Sequence, residues 1–253
     1  QNVVDAMQDW GLDTHGIQRD AVFPTGGVEV VMQGTDHRFD IRAQQAYDFI
    51  DYQLLMESVR HQQPSLIYLG SLIIRDQTSR QTLQRLLEKK DMPVFVDINL
   101  RDPWWDADSV EGLLSLARWA KLNDEELITI VAETVNSEEG LVRAANEALG
   151  RFELDAIVVT RGAEGAFITT SEGTVSGKPL PVEHLVDTVG AGDAFCAVTL
   201  LGLHAGWSAS EIIERALTFA AEICKQRGAT SPNRELYRKI YASWGLGQEP
   251  VRE

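Results

Sequence analysis

The sequence has few cysteines and no long apolar run. Only two of its 253 residues are cysteines, Cys196 and Cys224, and neither belongs to a cluster with metal-ligand spacing. We therefore expect reduced, core-packed thiols in a cytoplasmic protein. No apolar stretch reaches the roughly 18 residues that a membrane-spanning helix needs, so no membrane span is expected.

Basic residues are also scarce. The chain has 23 Lys and Arg against 38 Asp and Glu, which gives a formal net charge of −15. Such a chain offers no basic field to attract nucleic acid or an anionic membrane, so neither is expected as a partner. A small phosphate ligand is still allowed, because its binding depends on a local arrangement of donors.

Two common phosphate-binding loops are missing from the sequence as well. It contains no Walker loop and no Gly-x-Gly-x-x-Gly string before a helix. The hydrophobic fraction of 44% is ample for a packed core, which excludes a disordered chain. Strand-like and helix-like segments alternate after residue 50, and this predicts an α/β fold with a parallel sheet.

The stretch VDTVGAGDAF, residues 186–195, precedes an apolar run at 196–203 that predicts a buried helix. The first turn of a helix has N–H groups without intrahelical partners and favours negative charge. Gly190 and Gly192 remove side chains that would block a ligand. The N–H groups of Ala191, Gly192 and Asp193 can then face a phosphate, with the Asp193 carboxylate beside it. The alternative is a tight turn in which Asp193 only stabilises the helix start.

The string DTVGAGD, residues 187–193, resembles the C-terminal signature of the PfkB (ribokinase-like) family of sugar and nucleoside kinases. The resemblance implies a three-layer α/β/α domain with a mostly parallel sheet and a small β lid, here one domain over residues 1–253. It implies ATP-dependent phosphorylation, with Asp193 as the catalytic base and Gly190, Ala191 and Gly192 completing the anion hole. ATP and Mg²⁺, and K⁺ in some relatives, are the implied cofactors.

Residues 17–42 contain three strand-like runs, at 17–23, 28–32 and 38–42. An ordinary meander explains them, but the resemblance implies a substrate-closing lid through which two copies can pair as a homodimer. Before it, residues 2–11 predict the end of an amphipathic helix that stops at Gly11. Since no strand precedes this helix, we expect that the family's first strands and sugar-binding segment lie upstream, and that the sequence is truncated or gives only an ordered portion of the protein.

The first candidate substrate residues follow the strand predicted at 94–97. Asn99 and Arg101 come after its carboxyl end, where parallel sheets bind ligands. The string Asp-x-Asn-x-Arg before two tryptophans resembles the fructokinase branch of the family, which implies that both side chains face the active-site cleft and that Arg101 contacts substrate or phosphate. The alternative for Arg101 is a surface ion pair with Asp102 or Asp106.

A second candidate group begins at Asn123. Its spacing to Glu126 predicts a capping box, which accounts for both residues structurally. The resemblance adds that Asn-x-x-Glu lies near Mg²⁺ and the ATP phosphates, with Glu126 acting on the metal through water. Both roles can hold together.

The remaining candidates lie in glycine-containing turns. Thr160, Gly162 and Gly165 follow the strand predicted at 155–160, and a hairpin turn explains their spacing. The resemblance implies that this turn contacts ATP, and that Gly228, after the helix predicted at 208–226, helps to close the adenine pocket.

These observations favour an ATP-dependent sugar kinase, with fructose as the first choice of substrate. Ribose, 2-keto-3-deoxygluconate or a nucleoside remain alternatives within the family. A nucleotide-binding or sugar-binding protein without turnover, or an inactive fragment, is the alternative from another class.

Overall fold

The computed structural model describes residues 2–33, 36–89, 92–132, 135, 137–179 and 181–246. The chain divides into two compact units, Gln1–Ala117 and Arg118–Glu253.

The first unit contains four helices and four strands within its described residues. In chain order they are α1 (Asn2–Asp9), β1 (Val28–Gln33), β2 (Asp36–Ile41), α2 (Tyr52–Gln62), β3 (Ile67–Gly70), α3 (Gln77–Lys89), β4 (Val94–Asp97) and α4 (Ala107–Leu114). β3 and β4 pair in parallel, with Ile67 opposite Val94. The helix α3 runs between them, so this part has the expected strand–helix–strand order.

The helix α2 begins at a side-chain cap and packs against α3 through one apolar face. Its N-cap is Asp51, whose carboxylate accepts the N–H of Leu54. Its apolar face places Met56 and Val59 in a cluster with Leu86 of α3. Burial of these side chains holds α2 and α3 together.

The predicted strand at residues 17–23 is wrong. A single oxygen of the Asp20 carboxylate accepts the N–H groups of Val22, at 2.7 Å, and Phe23, at 2.8 Å. This turn uses N–H groups that a strand would donate to a neighbour. The other two runs are confirmed as β1 and β2, an antiparallel pair with Val28 opposite Ile41. Residues 34 and 35 between them lie outside the described residues, and the role of the pair as a lid remains a prediction.

The second unit carries the candidate phosphate motif. Its elements in the described ranges are β5 (Trp119–Asn123), α5 (Asp124–Val131), α6 (Glu138–Arg151), β6 (Ala156–Thr160), β7 (Ala166–Thr170), β8 (Gly173–Gly177), α7 (Ala191–Ala205), α8 (Ala209–Ile223) and α9 (Arg234–Ser243). β5 and β6 pair in parallel, whereas β7 pairs antiparallel with β6 and β8 pairs antiparallel with β7.

The helix α7 is anchored in the core of this unit. Phe195 and Val198 of α7 join Ile212 of α8 and Val158 of β6 in one buried cluster. A Cβ on Gly202 would lie 2.5 Å from Ile212 Cγ1, so the two helices approach closely there. This packing fixes the position of the first turn of α7.

Both cysteines are free thiols, with Cys196 buried and Cys224 half-buried. Burial raises the pKa of the Cys224 thiol, and the nearby Asp187 carboxylate adds to the effect. Among the described residues, no helix combines the length and the apolar character needed to cross a bilayer.

Candidate active site

The motif loop ends in a helix N-terminus, as the sequence predicts. Gly190 is the N-cap residue of α7 and adopts a left-handed conformation with φ 82°. The first helical hydrogen bond runs from the N–H of Ala194 to the Gly190 carbonyl, at 2.8 Å. The N–H groups of Gly192 and Asp193 therefore precede the helical ladder and have no intrahelical acceptor.

One donor of the expected cradle is used inside the loop. The N–H of Ala191 donates to the Thr188 carbonyl at 3.2 Å. Of the three predicted anion donors, Ala191 is therefore engaged within the loop, and Gly192 and Asp193 are left in the first turn. Two adjacent N–H groups at the positive end of a helix dipole still suit a phosphate oxygen.

A carboxylate holds the motif loop in place. Asp187 Oδ1 accepts the N–H of Val189, and Asp187 Oδ2 accepts the N–H of Gly228, each at 3.0 Å. These bonds hold the pKa of Asp187 below its ordinary value. The N–H of Val186 also donates to the Cys224 carbonyl at 3.0 Å. The structure therefore brings Gly228 against the motif.

Gly190 permits a second contact with the segment that contains Gly228 and Ala229. A Cβ at this position would lie 2.4 Å from the Cα of Ala229 and 2.7 Å from its carbonyl oxygen. Together with its positive φ, this makes glycine necessary at position 190. The sequence alone gives a different reason for this glycine, namely clearance for a ligand.

At Gly192, by contrast, the absence of a side chain does leave open space, as the sequence predicts. A Cβ there would meet no atom of the described residues within 4 Å. Gly192 and Asp193 are both exposed. The first turn of α7 is therefore open to solvent at Gly192, and Asp193 is the next residue of that turn.

The nucleotide candidates Asn123 and Thr160 are neighbours. They are paired residues at the carboxyl ends of the parallel strands β5 and β6. The Thr160 hydroxyl donates to the Leu122 carbonyl at 3.4 Å. Both side chains occupy the edge of the sheet where parallel strands present ligand-binding groups.

The capping box at the start of α5 is confirmed. Asn123 Oδ1 accepts the N–H of Glu126 at 2.8 Å, and Glu126 Oε2 accepts the N–H of Asn123 at 2.9 Å. The box fixes both side chains at the end of β5. A role of Glu126 towards a metal ion remains a prediction.

The two glycines after Thr160 have different surroundings. Gly162 has φ 53° and is exposed, which leaves its backbone accessible. Gly165 has φ 99° and is buried, and a Cβ there would lie 2.1 Å from the carbonyl oxygen of Gly177. Close packing against β8 thus explains Gly165 without a ligand.

Asn99 and Arg101 belong to the first unit, after β4. Asn99 has φ 47°, an uncommon conformation for a residue other than glycine, and its carbonyl accepts the Ser71 hydroxyl at 3.2 Å. Arg101 is exposed. The carboxylates considered as its partners also bond elsewhere, Asp102 with the Trp105 indole at 2.8 Å and Asp106 with Ser109.

Trp104 and Trp105, which follow Arg101, have structural contacts within the first unit. The Trp104 indole donates to the Ile41 carbonyl at 2.9 Å. Ser71, Arg75 and both tryptophans are among the residues that line a cavity of about 140 Å³. The pair thus shapes the wall of a cavity as well as marking a resemblance.

The first unit also contains a buried ion pair that the sequence analysis did not predict. Arg75 donates to both oxygens of Asp48, each at 2.7 Å, and both side chains are only 3% exposed. The guanidinium also lies 4.6 Å from the Trp104 ring centroid. The residues are 27 positions apart, so no local pattern connects them.

The sequence profile described as pfkB family carbohydrate kinase matches residues 1–236. The chain belongs to the pfkB family of carbohydrate kinases. Among curated pfkB-type relatives, a 1-phosphofructokinase of Haloferax volcanii is 26% identical over 185 residues, which cover 73% of this chain and 57% of that protein.

Solved structures share the fold of this chain. A Vibrio cholerae fructokinase, crystallised with fructose, ADP and calcium, has a TM-score of 0.73 at 25% identity and covers 95% of this chain and 80% of its own. A Salmonella enterica aminoimidazole riboside kinase, with its riboside and an ATP analogue, has a TM-score of 0.74 at 22% identity, with 94% and 80% covered. The predicted ribokinase-like α/β fold is confirmed.

The chain spans less than two thirds of the length of the curated pfkB relatives that it matches, at 62% for the Pyrococcus horikoshii sugar kinase and 57% for the Haloferax protein.

Proposed function

We propose that this protein is an ATP-dependent sugar kinase that acts through the first turn of α7. The observation that carries the proposal is the exposed first turn of α7, where both Gly192 and Asp193 are open to solvent. The loop that precedes this turn is held by the hydrogen bonds of Asp187. An acidic residue in a first turn also stabilises the helix start, but that role does not call for the open position at Gly192.

The first turn fits a phosphoryl group on physical grounds. The N–H groups of Gly192 and Asp193 lie at the positive end of α7, and a Cβ placed on Gly192 would meet no described atom within 4 Å. Phosphoryl transfer needs mainly positioning and charge stabilisation, and fixed N–H donors supply both.

Asp193 is the proposed general base. Its carboxylate takes the proton of the acceptor hydroxyl as the hydroxyl oxygen forms its bond to phosphorus and the bond to the leaving oxygen breaks. The transferred proton ends on the Asp193 carboxylate and is later released to solvent. Buried Phe195 and Val198 anchor α7, so the backbone that carries the Asp193 carboxylate is fixed by the core of the second unit.

The proposed nucleotide side comprises Asn123, Thr160, Gly162 and Gly228. When bound, ATP and Mg²⁺ supply the transferable phosphoryl group and the cation that offsets its charge. Glu126, fixed by its capping box, suits indirect contact with Mg²⁺ because that ion retains most of its waters. Dependence on K⁺ is proposed through carbonyls of the adjoining segments near Asp187 and Gly228.

Fructose is the proposed acceptor. Asn99 and Arg101, in a string similar to the fructokinase branch, carry amide and guanidinium groups of the kind that bind sugar oxygens. The likeness to the Vibrio fructokinase supports the same choice, whereas the phosphofructokinase and riboside kinase relatives favour other acceptors. The β1–β2 pair is proposed as the lid over the sugar, and a homodimer through it as the assembly.

ADP release over a panel of acceptors tests this function. The panel contains fructose, fructose 1-phosphate, fructose 6-phosphate, ribose, 2-keto-3-deoxygluconate and a nucleoside, measured on a version that includes any upstream residues. Turnover with fructose above all others is expected. Preference for another acceptor would overturn the fructose assignment, and no turnover with any acceptor would contradict the kinase assignment.

A further inference from the structure

A loop of the first unit lies along the length of α2. At one end, Gln18 Nε2 donates to the Asp51 carbonyl at 3.0 Å, and the Asp51 N–H donates to Gln18 Oε1 at 2.7 Å. Further along, a Cβ on Gly16 would lie 2.7 Å from Ser58 Oγ. Glycine at position 16 therefore lets the loop backbone rest directly on the helix.

This arrangement places His15 against the last turn of α2. The ring centroids of His15 and His61 are 5.2 Å apart, at an interplanar angle of 43°. Asp13 joins them, because its Oδ1 accepts the backbone N–H of His15 at 2.9 Å and lies 2.7 Å from His15 Nδ1. Two imidazoles and a carboxylate thus converge from two separate segments.

The three side chains present a ligand set suited to a transition metal. One donor atom from each of Asp13, His15 and His61 lies within 4.8 Å of the others, and all three residues are exposed. Zinc binds imidazole nitrogen and carboxylate oxygen at about 2.0–2.2 Å, so a small inward rotation brings all three donors to one ion. His61 lies in the last turn of α2, where the helix dipole favours a cation.

We propose that Asp13, His15 and His61 form a surface site for one divalent transition metal, of which Zn²⁺ is the reference ion. Two imidazole nitrogens and one carboxylate oxygen coordinate the ion, and solvent water completes the shell. None of these residues takes part in the proposed phosphoryl transfer. A bound ion joins the loop to α2 and stabilises this part of the first unit.

Calorimetric titration with ZnCl₂ alone, without nucleotide, tests the site. The wild-type chain is expected to bind one Zn²⁺ with a defined stoichiometry. His15→Ala, His61→Ala and Asp13→Asn are each expected to weaken that binding by about tenfold or more. His204→Ala is the matched control, since His204 is also an exposed histidine near a helix C-terminus and should leave the affinity unchanged.

Two further readouts distinguish coordination from general attraction to an acidic chain. Co²⁺ in place of Zn²⁺ should give visible d–d bands in the wild type and in His204→Ala but not in His15→Ala. Thermal unfolding of the metal-free variants should match the wild type, because the three side chains are exposed. No Zn²⁺ binding by the wild type, or unchanged affinity in any of the three cluster variants, would overturn the proposal.

Discussion

At the scale of single residues, the two glycines of the motif have separable roles. Gly190 needs its positive φ and its contact with Ala229, whereas Gly192 has open space before it. We expect Gly190→Ala to lower the unfolding free energy by about 1–2 kcal/mol or more, from the φ cost and the clash. Gly192→Ala should fold normally but reduce kcat at least about tenfold, because its methyl group occupies the phosphate position.

Thermal unfolding and kcat, measured on both glycine variants, separate these effects. Gly150→Ala is a control near the end of α6, where a Cβ also meets no atom of the described residues within 4 Å. Wild-type kcat in Gly192→Ala would mean that the space before Gly192 is not where the phosphoryl group lies.

The Asp187 carboxylate makes the free energy of unfolding depend on pH, and the sign of that dependence follows from its pKa. Its pKa is held below the ordinary 3.8 by hydrogen bonds from the N–H of Val189 and then of Gly228. The charged form is thus favoured in the folded state, so its contribution is present above pH 3.8 and lost as the pH falls through the lowered pKa. Denaturant unfolding of the wild type and Asp187→Asn should differ most near neutral pH and converge in acid. A difference that grows on acidification would contradict this role.

At the scale of elements, the buried Asp48–Arg75 pair joins two segments of the first unit that are 27 positions apart. Arg75→Met leaves a buried carboxylate without its partner and should cost about 3–5 kcal/mol of unfolding free energy. The double variant Asp48→Leu with Arg75→Met should recover most of that loss, because apolar replacement removes the uncompensated charge. Urea unfolding of both variants measures the difference, and equal losses in both would contradict the account.

The capping box of α5 lets its structural and metal roles be separated. Glu126→Gln keeps an oxygen that can accept the Asn123 N–H, so the unfolding free energy should change by less than about 0.5 kcal/mol. Loss of the negative charge should raise the Mg²⁺ concentration needed for half-maximal activity. An unchanged Mg²⁺ requirement would leave Glu126 with the capping role only.

Local patterns predicted most elements for identifiable reasons. The helix predicted at 208–226 forms as α8, which starts at a capping box of Ser208 and Glu211, and the strand predicted at 155–160 forms as β6. The strand expected at 17–23 fails because Asp20 captures the N–H groups that define it. The contacts of Gly190 with Ala229 and of Arg75 with Asp48 join distant positions, so no local pattern could reveal them.

At the scale of the whole molecule, the family and the fold rest on different evidence from the substrate. The profile match over residues 1–236 and the TM-scores above 0.7 cover nearly the entire chain. The relatives, however, act on several acceptors by name, and the chain spans only part of their length. The single domain, the lid, the homodimer and the cytoplasmic location stay predictions.

The most direct measurement compares kcat for Asp193→Asn and Asp108→Asn with the wild type under saturating ATP, Mg²⁺ and acceptor. Asp108 is a matched control, because it is an exposed carboxylate in the first turn of α4. We expect Asp193→Asn to fold normally and to lose about 10²-fold or more in kcat, with Asp108→Asn unchanged. Near-normal turnover in Asp193→Asn would contradict the assignment of the base.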